Sequence, residues 1–414
     1  MAHRRKFSEI AKGARHIKVI PYSRQTISPA DALKVGWHVW RHSLTQGPTI
    51  SDFEASVATK VGAKYAVAVS SGTAGLHIAL EALQLPKFGE VLTSPISFMA
   101  SSNAAFYARL TPKFIDIDSI SVNIDVNKVR DELEVNDKVV AVIPVHFGGL
   151  PCDMEVLSQY ANLKGIPVIE DAAHALGAVY ECGSKVGSCK YSDMTVFSFH
   201  PVKSVTTGEG GVITTNNVDL YHRLLQLRSH GINQQSESFT MPLLASTNGV
   251  KNLWYHEMQR LGYHYRLTEI QAVLGISQMK KLGKFIKSRQ NKAKWYDDML
   301  GEASLLRPAQ SVKVQNSARH LYVVRIDFSK INLSRAELMH ALKKKGIGTQ
   351  VHYRPIPQQP YYVEMGYDFT KYPEALHYYE EALSIPLFPT LRRRQQKYII
   401  ETLLELLKSN TMQN

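Results

Sequence analysis

The chain has 414 residues, 44% apolar and 21% charged, with a formal net charge of +13. That length and composition fit a globular chain with room for two domains. There is no apolar run of about 18 residues, as a membrane-crossing helix would need, and no signal-peptide core behind the basic start, so neither a span nor export is expected.

The positive charge favours anionic partners. Basic residues are nonetheless scattered, apart from the N-terminal arm and the triplets at 343–345 and 392–394, and no zinc-finger or RNP signature accompanies them. A small phosphorylated substrate is therefore expected ahead of nucleic acid. Cys152, Cys182 and Cys189 form no CxxC pair, which fits a reducing cytoplasm and gives no zinc site.

In chain order, residues 1–20 read as a basic arm. Residues 65–69 are strand-like and end in Ser70-Ser71-Gly72-Thr73, after which Leu76, Ala79, Leu80 and Leu83 follow helical spacing. Strand-like runs recur at 139–145, 167–169, 194–199 and 212–215, with helical patterns between most of them, for example at 153–163. Strands separated by helices predict an α/β domain with a mostly parallel sheet covered on both faces. Residues 235–250 turn polar and irregular and read as a long excursion. Helices are expected from about 266 to 300, then a strand at 321–328, a helix at 335–345, a strand at 347–353 and a last helix at 395–408. The division expected is a large domain over 21–270 and a small α+β domain over 271–414 that includes the linking helix.

Four places carry chemistry. Ser70-Ser71-Gly72-Thr73-Ala74 joins a strand to a helix N-terminus, where backbone N–H groups receive a phosphate; an ordinary N-cap reads equally well. In Glu170-Asp171-Ala172-Ala173-His174 the two acids face opposite sides of a strand, so only one serves a given site. Asp171 there is either a structural carboxylate or the partner of a protonated ring nitrogen. His38 and His42 lie four apart, but no third ligand is evident and a packed or surface pair explains them. Lys203, in Ser198-Phe199-His200-Pro201-Val202-Lys203, stands between a polar turn and Gly208-Glu209-Gly210-Gly211, and an enclosed lysine can attack a carbonyl. A phosphate cradle, a lysine 32 positions beyond an acid and the aromatic Phe98 between them suit one cofactor, pyridoxal phosphate. No GxGxxG, Walker or GxSxG motif supports nicotinamide, ATP or serine-hydrolase chemistry.

With these blocks, and with Tyr265-Arg266-Leu267-Thr268-Glu269-Ile270-Gln271, the chain resembles the sugar aminotransferases of the DegT/DnrJ type. These are fold-type-I pyridoxal phosphate enzymes acting on nucleotide-linked ketosugars. The resemblance runs from Pro21-Tyr22-Ser23-Arg24-Gln25 to Ile385-Pro386-Leu387-Phe388. It implies that Lys203 forms the Schiff base, that Asp171 holds the pyridinium proton and that Phe98 stacks on the ring. It gives the phosphate to the Gly72-Thr73-Ala74 backbone and Ser198, and places His174 near the phenolic oxygen. Tyr22, His42, Ser43, Leu44, Thr45, His352, Tyr353, Arg354 and Pro355 match positions that touch the sugar nucleotide.

The family usually carries Asn where this chain has His264, a position that reaches the partner subunit's phosphate; an imidazole N–H can donate the same bond. The resemblance implies a homodimer with shared active sites, its arm being the excursion at about 235–265. His200-Pro201-Val202-Lys203 and Val351-His352-Tyr353-Arg354-Pro355-Ile356 resemble the 4-aminotransferases of pseudaminic acid biosynthesis. Those use L-glutamate and a UDP-linked 4-keto-6-deoxy-2-acetamido sugar. The alternatives are another nucleotide 4-keto sugar (perosamine, bacillosamine or 4-amino-arabinose type) or a catalytically silent sugar-nucleotide binder. Dehydratases of the same fold place histidine at the lysine position, which Lys203 opposes.

Overall fold

The computed structural model describes residues 19–234, 236–301, 305–310 and 316–412. The expected N-terminal arm, save its last two residues, lies outside that set. The first part of the chain runs α1 (Pro29–Arg41), α2 (Pro48–Val61), β1 (Tyr65–Val69), α3 (Gly72–Leu83), β2 (Glu90–Thr93), α4 (Ala100–Tyr107), β3 (Thr111–Phe114), α5 (Val126–Val135), β4 (Val139–Ile143), α6 (Met154–Leu163), β5 (Ile169–Asp171), β6 (Met194–Ser198), β7 (Gly211–Thr215) and α7 (Val218–Arg228).

β2 pairs in parallel with β3 and β4, and β5 in parallel with β6. Parallel bridges Val142–Val168 and Val145–Asp171 join the two halves into the order β3-β2-β4-β5-β6-β7-β1. Only β7 runs against its neighbours, β6 and β1. The apolar runs of β1, β4 and β6 are buried because helices cover both faces, as a mostly parallel sheet requires. One core joins α2 through Phe53 and Val57 to Ala172, Phe197 and Phe199; another holds Leu76, Ala79 and Leu80 of α3 against Val67 and Val196.

Then come α8 (Glu269–Met279) and α9 (Leu282–Leu300). α8 starts with a Thr268–Gln271 capping box and buries Ala272 and Met279 in the first core, with the large domain's helices. α9 belongs to both parts: Leu282 and Ile286 enter that core, while Ala293, Tyr296 and Leu300 enter a second one. The side chains thus divide between the two cores within α9. The second core lies among β8 (Leu306–Pro308), β9 (Tyr322–Ile326), α10 (Arg335–Lys344), β10 (Ala382–Ile385) and α12 (Arg393–Lys408), with an antiparallel sheet β8-β9-β10, while α11 (Pro373–Glu381) packs Ala375 and Tyr378 in a separate cluster with Phe147.

Residues 347–353 are not the strand their sequence suggests. They make only two isolated bridges, Ile347–Ile20 and Gln350–Ser384. Gly348 packs on the Ile20 carbonyl, and the Tyr378 hydroxyl donates to the His352 carbonyl at 2.6 Å, so that backbone is taken away from a ladder. The excursion forms a small hairpin, Ser246–Thr247 with Val250–Lys251, and a second pairing of Ile232–Asn233 with Glu257–Met258. It is less polar than it reads at first: Leu243, Leu253, Trp254, Met258 and Leu261 all stand exposed on it.

Candidate active site

β5 and β6 end side by side, and their last residues, Asp171 and Ser198, face one cavity of about 540 Å³ at the carboxyl ends of the strands. Strand alternation decides which acid arrives there. Glu170 turns away, fully buried, and accepts bonds from His146 Nε2 (2.6 Å), Tyr180 (2.5 Å), Ser192 (2.5 Å) and Thr195 (3.0 Å). Asp171 turns to the cavity, held by the Ser101 hydroxyl at 2.6 Å and the Ala173 N–H at 3.1 Å.

Lys203 lies in a tight loop. Its N–H donates to the His200 carbonyl (2.9 Å), and both Thr207 N–H and the Thr206 hydroxyl donate to the Phe199 carbonyl (3.0 Å each). The cavity keeps part of its side chain open, yet protein crowds the ammonium. Burial pulls its pKa down to about 8, against the opposing pull of the Asp171 carboxylate. His174 also lines the cavity; burial, Lys203 and His352 hold it well below the usual histidine range, so it is neutral. Its Nε2 lies 3.3 Å from the Tyr353 hydroxyl, and its buried Nδ1 has no partner among the described residues. His352 is pushed to about 3 by burial and by Lys203.

The two readings of the loop at 70–74 are both realised. Ser71 is the N-cap of α3, its hydroxyl accepting the Ala74 N–H at 3.1 Å. The first N–H groups of a helix stay free of intrahelical bonds, and Gly72 and Thr73 at the start of α3 line the cavity. A Cβ on Gly72 would meet Ser198 Cβ at 3.1 Å, so the absent side chain leaves a cradle between α3 and β6. Ala74 does not line the cavity, because its N–H is spent on the cap.

Tyr22, Phe98, His352, Tyr353 and Arg354 complete the wall, so most of the expected residues converge. His42, Ser43, Leu44, Thr45, Pro355 and His264 do not line the cavity of their own chain. The exposed His42 stacks on the buried His38 at 5.0 Å; the Leu44 carbonyl accepts the Glu269 N–H at 3.0 Å. His264 Nε2 accepts from Arg266 at 2.8 Å. Two residues escape a sequence reading. Ser101, which holds Asp171, follows Phe98 in a serine-rich turn that offers the one hint of it. His320 stands alone before β9 with no motif around it, yet its ring lies 4.4 Å from that of His174.

An acid, a lysine that is half neutral near pH 8, an anion cradle and an orphaned imidazole nitrogen are the donors and acceptors that pyridoxal phosphate needs. The sequence profile of the DegT/DnrJ/EryC1/StrS aminotransferase family matches residues 27–404. The chain belongs to this family.

It is accordingly a pyridoxal phosphate-dependent aminotransferase of fold type I. It is 36% identical over 397 residues to the spore coat polysaccharide biosynthesis protein SpsC of Bacillus subtilis, covering 94% of this chain and 97% of that protein. It is 34% identical to the UDP-4-amino-4,6-dideoxy-N-acetyl-beta-L-altrosamine transaminase of Campylobacter jejuni strain 81-176, covering 94% and 98%. Among solved structures it is similar to Helicobacter pylori PseC, an aminotransferase involved in pseudoaminic acid biosynthesis, with TM-score 0.85, 27% identity and coverage of 95% and 100%. It is also similar to a Streptococcus pneumoniae protein solved in its PLP form, with TM-score 0.83, 27% identity and coverage of 94% and 99%. No helix among the described residues is long and apolar enough to cross a membrane.

Proposed function

We propose that this sugar-nucleotide aminotransferase moves the amino group of L-glutamate to C4 of a UDP-linked 4-keto-6-deoxy-2-acetamido sugar. The observation that carries the chemistry is the cavity where Lys203, with its pKa lowered to about 8, stands near Asp171 beside the Gly72–Ser198 cradle. The choice of sugar is supported by the 34% likeness to the altrosamine transaminase and the fold of PseC. A second reading, another nucleotide 4-keto sugar bound for a surface polysaccharide, is favoured by the 36% likeness to SpsC.

When bound, the cofactor supplies an electron-poor ring that accepts the electron pair of a breaking C–H bond. Gly72, Thr73 and Ser198 would hold its phosphate, and Lys203 Nζ would be its covalent anchor. The Asp171 carboxylate, oriented by Ser101 and Ala173, would keep the ring nitrogen protonated. Lys203 Nζ, once free, takes a proton from one carbon and returns it to another; the depressed pKa puts enough of it in the neutral form. His174 is neutral and would donate or accept one hydrogen bond at the phenolic oxygen. Phe98 would stack on the ring, Tyr22 and His352 would touch the sugar nucleotide, and Arg354 would meet the diphosphate.

His42–Thr45 and His264 lie outside their own chain's cavity, and the excursion exposes apolar side chains. Both support a homodimer in which these residues complete the partner's site.

The test is a panel of UDP-, dTDP- and GDP-linked 4-keto sugars with L-glutamate, with products followed by mass spectrometry. The UDP-linked acetamido sugar is expected to react at least about tenfold faster than the others, a difference of about 1.4 kcal/mol in transition-state binding. A faster dTDP- or GDP-sugar removes the UDP reading, and a cofactor absorbance unmoved by L-glutamate removes the donor.

A further inference from the structure

Arg289, midway along α9, is 1% exposed, and no carboxylate among the described residues pairs with it. An unpaired buried guanidinium is costly, so the contacts it makes must offset that cost. Its Nη1 donates to two carbonyls, His320 at 3.1 Å and Leu387 at 2.9 Å. Both carbonyls lie one step from the active-site cavity. His320 lines the cavity itself, and the Leu387 N–H donates at 3.0 Å to the carbonyl of Tyr22, another lining residue.

We propose that Arg289 is a positioning residue for the active site, clamping the segments that carry His320 and Tyr22 so that the His320 ring stays against His174. The proposal rests on the aminotransferase reading of this cavity and adds a role for a side chain that never reaches it. Geometry supplies the first argument. α9 spans both cores, and His320 comes two residues before β9 of the small sheet, where this guanidinium holds its carbonyl and the Gly148 carbonyl also accepts the following Leu321 N–H at 3.3 Å. The Gly148 carbonyl accepts the His320 N–H at 2.8 Å, so the peptide is gripped at both ends.

Charge supplies the second. Burial first, and then His174, Lys203, Arg289 and His352, all neutral or cationic, hold the His320 imidazole in the neutral form. Its Nδ1, like that of His174, is buried without a partner among the described residues. A charged imidazole here would repel Lys203. Removing the guanidinium removes one of the positive charges that prevent it.

Two variants of the holoenzyme test this. Arg289→Lys keeps the charge but replaces a two-carbonyl fork by a single shorter ammonium. It is expected to fold with a wild-type circular dichroism spectrum, and to raise KM for the amino donor at least fivefold. The acid-side midpoint of the bound cofactor's absorbance titration should stay where the wild type has it. Arg289→Met removes the charge too, and that midpoint should move upward by half a pH unit or more, because His320 then protonates more readily. If Arg289→Met does not fold, the KM of Arg289→Lys decides alone. Wild-type KM in Arg289→Lys overturns the proposal, as does a lowered melting temperature in both variants with KM and titration unchanged. The absorbance titration needs no sugar, so it reports on Arg289 even where the sugar panel rejects the proposed substrate.

Discussion

Lysine normally ionises near 10.5, and burial brings Lys203 to about 8 while Asp171 resists the shift. A residue that must take a proton works only in its neutral form. The proton-transfer rate should therefore rise with pH up to about 8 and fall about tenfold for each unit below it. Stopped-flow absorbance of the glutamate half-reaction across pH 6 to 9 measures this, and a flat profile would separate Lys203 from the proton transfer. Lys203→Arg cannot present a neutral nitrogen, and a loss of about 10²–10⁴-fold in that step is expected. The lysine stands out in the sequence because a glycine-rich turn follows it. His320 does not, because its importance comes from a ring lying 4.4 Å from that of His174, 146 positions earlier in the chain.

At the scale of elements, β5 shows how alternation assigns chemistry. Glu170 and Asp171 are adjacent acids, and the pleat sends one into a buried network and the other into the cavity. Their substitutions should separate accordingly. Glu170→Ala strands the His146, Tyr180, Ser192 and Thr195 donors and should cost about 3–5 kcal/mol of stability, read by urea unfolding. Asp171→Asn should leave the unfolding midpoint near wild type and slow transamination. Equal stability losses in both would contradict the division of roles. The periodicity of β4, α3 and α6 was sufficient to place those elements in the sequence. It failed at 347–353, where an apolar alternating run is drawn out of the sheet by the Tyr378 hydroxyl and the close approach of Gly348 to Ile20. Local pattern does not report a hydrogen bond made to a helix 26 residues away.

For the whole molecule, the exposed apolar side chains of the excursion are the main unpaired feature. Leu253 is 89% exposed and Trp254 76%, beside Leu243, Met258 and Leu261. Large exposed apolar side chains of this kind favour an interaction surface. In the proposed dimer these side chains would be buried, and large aromatic residues carry much of the affinity at such contacts. Trp254→Asp is expected to lower the sedimenting mass from twice the 46.5 kDa chain to one chain, and to weaken cofactor retention with it. A wild-type protein that sediments as a monomer and is fully active would end the shared-site reading.

The sequence by itself determined the α/β class and the family, and through that resemblance it singled out a candidate lysine, acid and cradle glycine, whose local patterns alone left other readings open. Only the tertiary structure decided which residues share one cavity, that α8 packs in the large core, that residues 347–353 leave the sheet, and that Arg289 grips His320 and Leu387. The physical reason is range. Helix caps, strand alternation and glycine turns act over a few neighbours, whereas burial, lowered pKa values and buried hydrogen bonds depend on partners that folding brings from far along the chain.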